Sequence, residues 1–446
     1  MGLENTLWSS VSGLTAAQRQ LEVASHNIAN VNTPGYSRQR VDLTPARPMD
    51  GPGGQIGTGV TIKDIVRMRN NLTDTAYWTE SGNTGAAAAR SDVLQRAETI
   101  LGPVGSGVPD GLSKFYSAWD DLSLNGNDTA ARQSVLDAGN QLASQIRSAS
   151  AQLTRLTNDT AANVGETVDN VNRLAQQAGQ LNQAIKEATV SGQNPNDLED
   201  QRDQIVDQLT SLTGGQVQPG DFGAKNVYVS NRPLVFGADS EQMTASPSGA
   251  VTWSLDGKPV VNPGGKLGGL TDVLTNTLPS IKTDLDNFAN GLMSVINMAH
   301  QAGKDQDGNP GQAFFTGTGA ADIALNSSLT TRSVAAATTA SPNDASNALN
   351  IAGLRTTAAV GSNTLSQAIQ ALAGRLGGMS ASAQSTASAT QSVLDNISGQ
   401  RAQDSSVSTD EELANIVQFQ HAYDAAAKVI QVVDACMDTL VNLVQR

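Results

Sequence analysis

The sequence predicts a mainly α, multidomain α+β protein: paired terminal helices, a bundle of long helices and an inserted β domain. Three observations carry that reading. An apolar seam with alternating four- and three-residue spacing opens the chain, a second such seam closes it, and only one short stretch between them reads as β. The spacing is that of a coiled-coil stripe.

The opening seam is Leu3, Leu7, Ser10, Leu14, Ala17, Leu21, Ala24 and Ile28. Large and small members alternate, which lets a second helix approach closely. Asn30-Val31-Asn32-Thr33-Pro34-Gly35 ends the segment, because proline cannot continue a helix and glycine tolerates the chain reversal. The closing seam is Ile416, Phe419, Tyr423, Ala426, Ile430, Val433, Met437, Leu440 and Val444, after an N-cap at Ser408 or Thr409 with Glu411 or Glu412 three residues on. Periodicity kept up to the end of the sequence needs a partner, since undocked termini fray. The first helix is the obvious one.

Between the ends, Asp128 caps a helix running to about Val190, roughly 90 Å at 1.5 Å per residue. Ser191-Gly192-Gln193-Asn194-Pro195 breaks it, and helices follow over 197–212, 270–302 and 365–403. Val227-Tyr228-Val229 and Leu234-Val235-Phe236 flank Asn231-Arg232, and Val251-Thr252-Trp253 and Val260-Val261 flank Asp256-Gly257. These are hairpin signals, and Asp-Gly suits a type I′ turn. Residues 36–66 form an extended, irregular piece and 303–345 a loop-rich one. The expected domains are 1–35 with 406–446 (terminal coiled coil), 36–213 with 269–405 (long helices), and 214–268, with part of 303–345, as the outer β domain.

Composition narrows the function classes. The 446 residues are 39% hydrophobic but only 4% aromatic, enough for a thin Ala/Val/Leu core in long helices. The net charge of −14 repels phosphate backbones and anionic lipid, so neither nucleic acid nor membrane is expected as a partner. No apolar run reaches transmembrane length and no secretory signal pattern opens the sequence. The single cysteine, Cys436, forms no internal disulfide and reads as a small packing residue beside the closing seam. The histidines, His26, His300 and His421, lie far apart, and no HExxH, CxxC, GxSxG or GxxxxGK[ST] occurs. The glycines of 51–59 lack the strand, helix and lysine of a phosphate loop. Asp305-Gln306-Asp307-Gly308-Asn309 starts like a calcium loop but has glycine fourth, and Thr316 where the bidentate glutamate belongs. No catalytic residue, cofactor or metal is expected, and the chain reads as a structural part rather than an enzyme.

Ser25-His26-Asn27-Ile28-Ala29-Asn30-Val31-Asn32-Thr33-Pro34-Gly35-Tyr36-Ser37-Arg38 resembles the N-terminal signature of the axial proteins of the bacterial flagellum, which comprise rod, hook and hook-associated proteins. Its family positions here are Asn27, Ile28, Ala29, Asn30, Thr33, Pro34, Gly35 and Tyr36. Further stretches are similar to hook-associated members in the same order: Asp128 to Gln133, Asp197 to Val206, His300 to Gly303 with Phe314-Phe315, and Asp410 to Glu412 with Phe419-Gln420. Longer relatives carry an extra outer β domain after the Phe-Phe pair, where this chain has a short Ala/Thr-rich stretch.

The resemblance implies an extracellular axial subunit at the junction of hook and filament, needed for filament assembly. It implies export through the flagellar type III machinery and assembly with copies of itself, as a ring of eleven. It also implies contact with the hook protein and a second junction protein next to the filament, and a cytoplasmic export chaperone on the C-terminal region. A hook or rod protein of the same family, or a non-flagellar coiled-coil interaction protein, stays open at this point.

Overall fold

The computed structural model describes residues 2–51, 54–102, 107–341 and 343–444, without the side chains of 51, 443 and 444. Helix α1 (Gly2–Ala29) matches the opening seam. The extended piece is a two-tier hairpin arm: β1 (Gln39–Pro45), β2 (Met49–Gly51), β3 (Gly54–Ile56) and β4 (Val60–Arg67), with β1 antiparallel to β4 and β2 antiparallel to β3. Helices α2 (Asn71–Leu101), α3 (Val108–Leu124), α4 (Thr129–Val190) and α5 (Asn196–Thr213) follow. Asp128 caps α4 as expected, its Oδ1 accepting the Ala130 N–H at 2.8 Å.

The next strands are β5 (Gln216–Pro219), β6 (Lys225–Val229), β7 (Arg232–Phe236), β8 (Asp239–Ser240), β9 (Met243–Ala245) and β10 (Val251–Trp253). Helix α6 (Gly265–Asp272) runs through a π turn into α7 (Leu278–Ala302). After the short pair β11 (Phe315–Thr316) and β12 (Ala324–Leu325) come α8 (Ser346–Gly353), β13 (Ala358–Val360) and β14 (Asn363–Thr364). Helices α9 (Leu365–Ser405) and α10 (Thr409–Val444) close the chain.

Several expectations need correction. Residues 67–127, for which the sequence reading names no individual element, hold α2 and α3. Between Trp78 and Ala89 the buried residues of α2 include Ser81 and Thr84, which interrupt the apolar period that resumes at Val93, Leu94, Ala97 and Leu101. The first hairpin turns at Ser230-Asn231, one residue early; both have positive φ, 52° and 62°, as a two-residue primed turn demands. The Asp256-Gly257 turn is wider than type I′, but the expected hairpin forms: the Trp253 N–H reaches Lys258 O at 2.8 Å and the Val260 N–H reaches Val251 O at 2.9 Å, while the other edge of β10 pairs with β9. Cys436 is exposed rather than packed.

The chain forms two units, whose boundaries fall inside α2, α4 and α9. One takes residues up to 82, 171–242 and from 392 onward; the other takes 83–170 and 243–391. The β stretch expected as one domain over 214–268 is thereby divided. The four-stranded sheet β5-β6-β7-β8 lies in the first unit, and the β9–β10 pair in the second.

The second unit centres on an aromatic cluster. Phe115 and Trp119 of α3 meet Phe314 and Phe315, with Phe314–Phe315 centroids 4.9 Å apart and His300 5.4 Å from Phe314. His300 is fully buried. Its Nδ1–H donates to Gln312 O at 2.6 Å, and its Nε2 accepts the Ala335 N–H at 2.9 Å, so the imidazole is neutral and ties α7 to the following loop. Arg132, also buried, donates to Gly126 O at 2.8 Å and Val334 O at 2.6 Å. The stretch 128–133 is thus a helix cap followed by a loop clamp.

Burial pushes the His300 pKa down, against the backbone bond to Gln312. A group whose folded-state pKa is depressed stabilises above its unfolded pKa, about 6.5, and loses that contribution as pH falls below it. Thermal unfolding of the second unit should therefore drop in midpoint between pH 7.5 and 5. His300→Gln, which keeps one donor and one acceptor but cannot titrate, should flatten that drop.

Candidate assembly site: the terminal pair and the signature loop

α10 begins beside the end of α1 and runs back along it. Arg38, just after α1, donates from Nε to Glu412 at 2.7 Å and from Nη1 to Glu411 at 2.9 Å, at the first turn of α10. Ser408 is the cap, its Oγ accepting the Glu411 N–H at 3.5 Å; the two glutamates serve Arg38 instead of closing a capping box.

Along α1, Ala17 and Ala24 are buried, and Leu3, Leu7, Leu14, Leu21 and Ile28 are half-buried. Along α10, Val433 is buried, while Ile416, Phe419, Ala426, Ile430 and Met437 are half-buried. Tyr423 and Leu440 are exposed, and the side chain of Val444 lies outside the described residues. The exposure of Leu440 has a simple cause. α10 has 36 residues against 28 in α1, so its last turns outrun the partner. The pair also leaves large apolar groups in solvent off the seam: Trp8 on α1, and Leu413, Val417, Val432 and Val441 on α10.

The other face of α1 carries the arm. Gly59 crosses it with φ 108°; a Cβ there would fall 2.1 Å from Ser12 Oγ, the group that accepts the Val60 N–H.

The signature residues form the joint at the base of this pair. Buried Asn27 exchanges two bonds with the backbone of Gln39: Nδ2 donates to its carbonyl at 2.9 Å, and Oδ1 accepts its N–H at 3.0 Å. Tyr36 donates its hydroxyl proton to Asn27 Oδ1 at 2.8 Å. His26 Nδ1, 3.0 Å from that hydroxyl, must then be the donor. Burial, and then Asp197, Asp200 and Glu412, push the Tyr36 phenol far above its ordinary range. Asn30 Nδ2 donates to His26 O, and Thr33 Oγ1 donates to Asn30 Oδ1 at 3.1 Å. Ile28 and Ala29 are the last residues of the helix. Pro34 O accepts from Gln204 Nε2. Gly35 has φ 77°, and a Cβ on it would lie 2.0 Å from that same amide.

Helix α5 receives the segment that follows. Asp200 accepts the Ser37 N–H at 2.8 Å and the Ser37 hydroxyl at 2.7 Å. Arg67, at the end of the arm, reaches Glu199 at 2.6 Å, Asp200 at 2.7 Å and Asp203 at 3.0 Å. The cluster extends through Arg69–Asp74, Lys225–Asp203 and Arg202–Asp203 to Arg401, which holds Asp74 and Asp207. Trp78 donates its indole N–H to Asp207 at 2.6 Å. Five carboxylates (Asp74, Glu199, Asp200, Asp203, Asp207) thus balance five cations. Burial alone would raise Asp203, but Lys225, Arg202, Arg67 and Arg69 hold it well below the carboxylate range. The carboxylates at 197, 200, 203 and 207 share one helical face, a spacing visible in the sequence that would have marked this face.

Of the other histidines, His421 is exposed on α10. In the calcium-like stretch, Asp305 Oδ1 accepts the N–H groups of Asp307 and Asn309, both at 2.8 Å, which makes a local polar turn. Among the described residues no group of three or more His, Cys, Asp or Glu is placed to hold a metal, and no helix is long and apolar enough to cross a membrane.

Comparison with known proteins points to one family. Family models match in three places: the helical domain of flagellar hook-associated protein FlgK over 94–315, the flagella basal body rod protein over 7–36, and the C-terminal segment of the basal body rod FlgEFG proteins over 387–443. Flagellar hook-associated protein 1 of Bacillus subtilis is 28% identical over 99% of this chain and 98% of its own length. That of Salmonella typhimurium is 29% identical over 69% of this chain, and the match spans 58% of the relative. The flagellar hook junction protein FlgK from Burkholderia pseudomallei shares the fold, with a TM-score of 0.63 at 16% identity, over 76% of this chain and 100% of that one. The chain is therefore an axial structural protein of the bacterial flagellum. Within that class it belongs to the flagellar hook-associated protein 1 family.

Two substitutions test the joint. Asp200→Asn leaves Arg67 and Ser37 short of a buried charge and should cost about 3 kcal/mol locally. Gly35→Ala adds φ strain and a clash, at about 1–2 kcal/mol or more. Both should speed hydrogen exchange over residues 20–40 and 60–70, whereas His421→Ala should leave it unchanged.

Proposed function

We propose that this chain is the subunit joining hook to filament, and that its paired termini are the surfaces by which copies assemble. The observation that carries this is the α1–α10 pair itself. It buries one seam within the chain and leaves large apolar side chains outside it, more than a free surface helix needs. Helices with a single stripe are marginal on their own, so neighbours covering the second face would complete them. The subunit leaves the cell by the flagellar export machinery, with a chaperone on its C-terminal region. It forms a closed ring on the hook protein and offers the ring to the second junction protein next to the filament. The ionic joint at α5 fixes how the termini leave the body of the subunit, so each copy presents the pair in one pose.

Electron microscopy of a deletion strain should show intact hooks without filaments, and flagellin in the medium. Absence of hooks would point to a hook or rod role instead. Leu21→Asp or Ile430→Asp should cut filaments by more than tenfold while the melting of the second unit stays unchanged. A mutant that unfolds the second unit would show that the seams belong to a common core.

A further inference from the structure

Tryptophan is scarce in this chain, and its four copies are treated unequally. Trp78, Trp119 and Trp253 are at most 6% exposed, whereas Trp8 is 69% exposed on α1. Well further along the same helix lies a concave site. A notch of about 330 Å³ opens where α1, the base of the arm and α10 meet. Val23, Ala24 and Val41 are apolar and buried in its wall, with Met68 and Phe419 beside them. Arg40 is exposed at the edge, Asn415 brings an amide oxygen, and Glu412 is held by Arg38 in the same wall.

This lining suits an indole. A guanidinium can stack on its face, a thioether and a phenyl ring can meet its edge, and the amide oxygen of Asn415 can accept its N–H. Trp8 cannot fill the notch of its own chain. The lining residues of α1, Gln20 to Asn27, sit 12 to 19 residues further along one unbroken helix, roughly 18–28 Å away at 1.5 Å per residue. A knob and a hole fixed apart on one rigid element can meet only between copies. Such a heterologous contact, repeated head to tail, generates a ring or a helix.

We infer that Trp8 of one copy seats in the α1–arm–α10 notch of a neighbouring copy, and so sets the axial offset between them. The inference rests on the self-assembly proposed above and adds the contact that orders it. Each copy then both gives and receives one indole.

Trp8→p-benzoylphenylalanine tests the contact in swimming cells, because the benzophenone bonds on irradiation to whatever C–H group it touches. The expected product has twice the mass of the chain, with the adduct on the peptide holding Met68 or the one holding Phe419. An adduct on another protein, on a different part of this chain, or no adduct in cells that swim overturns the inference. Asn415→Trp plugs the notch without touching Trp8. Filaments should fall more than tenfold while the melting of the free monomer is unchanged, and filaments in normal number would also overturn it. Immunogold labelling of the unmodified chain separates the two readings. Label at the hook tip with a misplaced adduct sinks only this contact, whereas label elsewhere sinks the junction reading too.

Discussion

One carboxylate organises the first unit. Asp200 takes the backbone N–H and the hydroxyl of Ser37 on one side and the guanidinium of Arg67 on the other. Those two residues begin and end the arm, so a single side chain on α5 gathers both of its roots. From Ser37 the chain leads back to Asn27 and α1; from Arg67 it leads to Arg69, Asp74 and α2. Arg38, the next residue after Ser37, catches the first turn of α10. The direction of both terminal helices thus depends on a polar joint. Buried ion pairs add little net stability but penalise wrong partners heavily, because any mispairing strands a charge. A subunit that must present its ends in one pose gains from that asymmetry.

The second unit is built on the opposite principle. Its centre is aromatic and aliphatic, with Phe115 against Trp119, Phe314 and Phe315, and Phe314 against Trp119 and Phe315. Its polar members, His300 and Arg132, are both spent on backbone carbonyls and amides of long loops. They replace the regular ladders those loops lack. The two units therefore respond to different variables: the first to the pairing of charges, the second to packing and to the protonation of one imidazole.

Much of this was legible in the sequence, for reasons that can be named. The seams of α1 and α10 showed because large apolar groups recur at fixed spacing, and α4 showed its cap at Asp128. Spacing tells which face is apolar but not how long the partner is, so Leu440 was read as covered. α2 was hard to read through its first half, where Ser81 and Thr84 interrupt the apolar period, but Val93, Leu94, Ala97 and Leu101 carried a helical stripe that was missed. α3 was legible and missed: Leu112, Phe115, Trp119 and Leu122 follow a helical stripe after Pro109. The signature stood out as a pattern, yet its purpose depends on Asp200 and Gln204, more than 160 positions away. No local rule says which helix an acidic face will meet. The stretch 197–206 resembled its family without disclosing that it is the receptor for the signature.

The ionic joint also bears on temperature. Unfolding a hydrophobic core exposes apolar surface and raises the heat capacity, which curves stability steeply about its maximum; exposing polar surface works in the opposite sense. Around α5 the groups released to water are carboxylates and guanidiniums as much as methyls. The stability curve of that region is accordingly shallow, and the pose of the terminal helices is held over a wider thermal range than a purely apolar joint of the same size would allow.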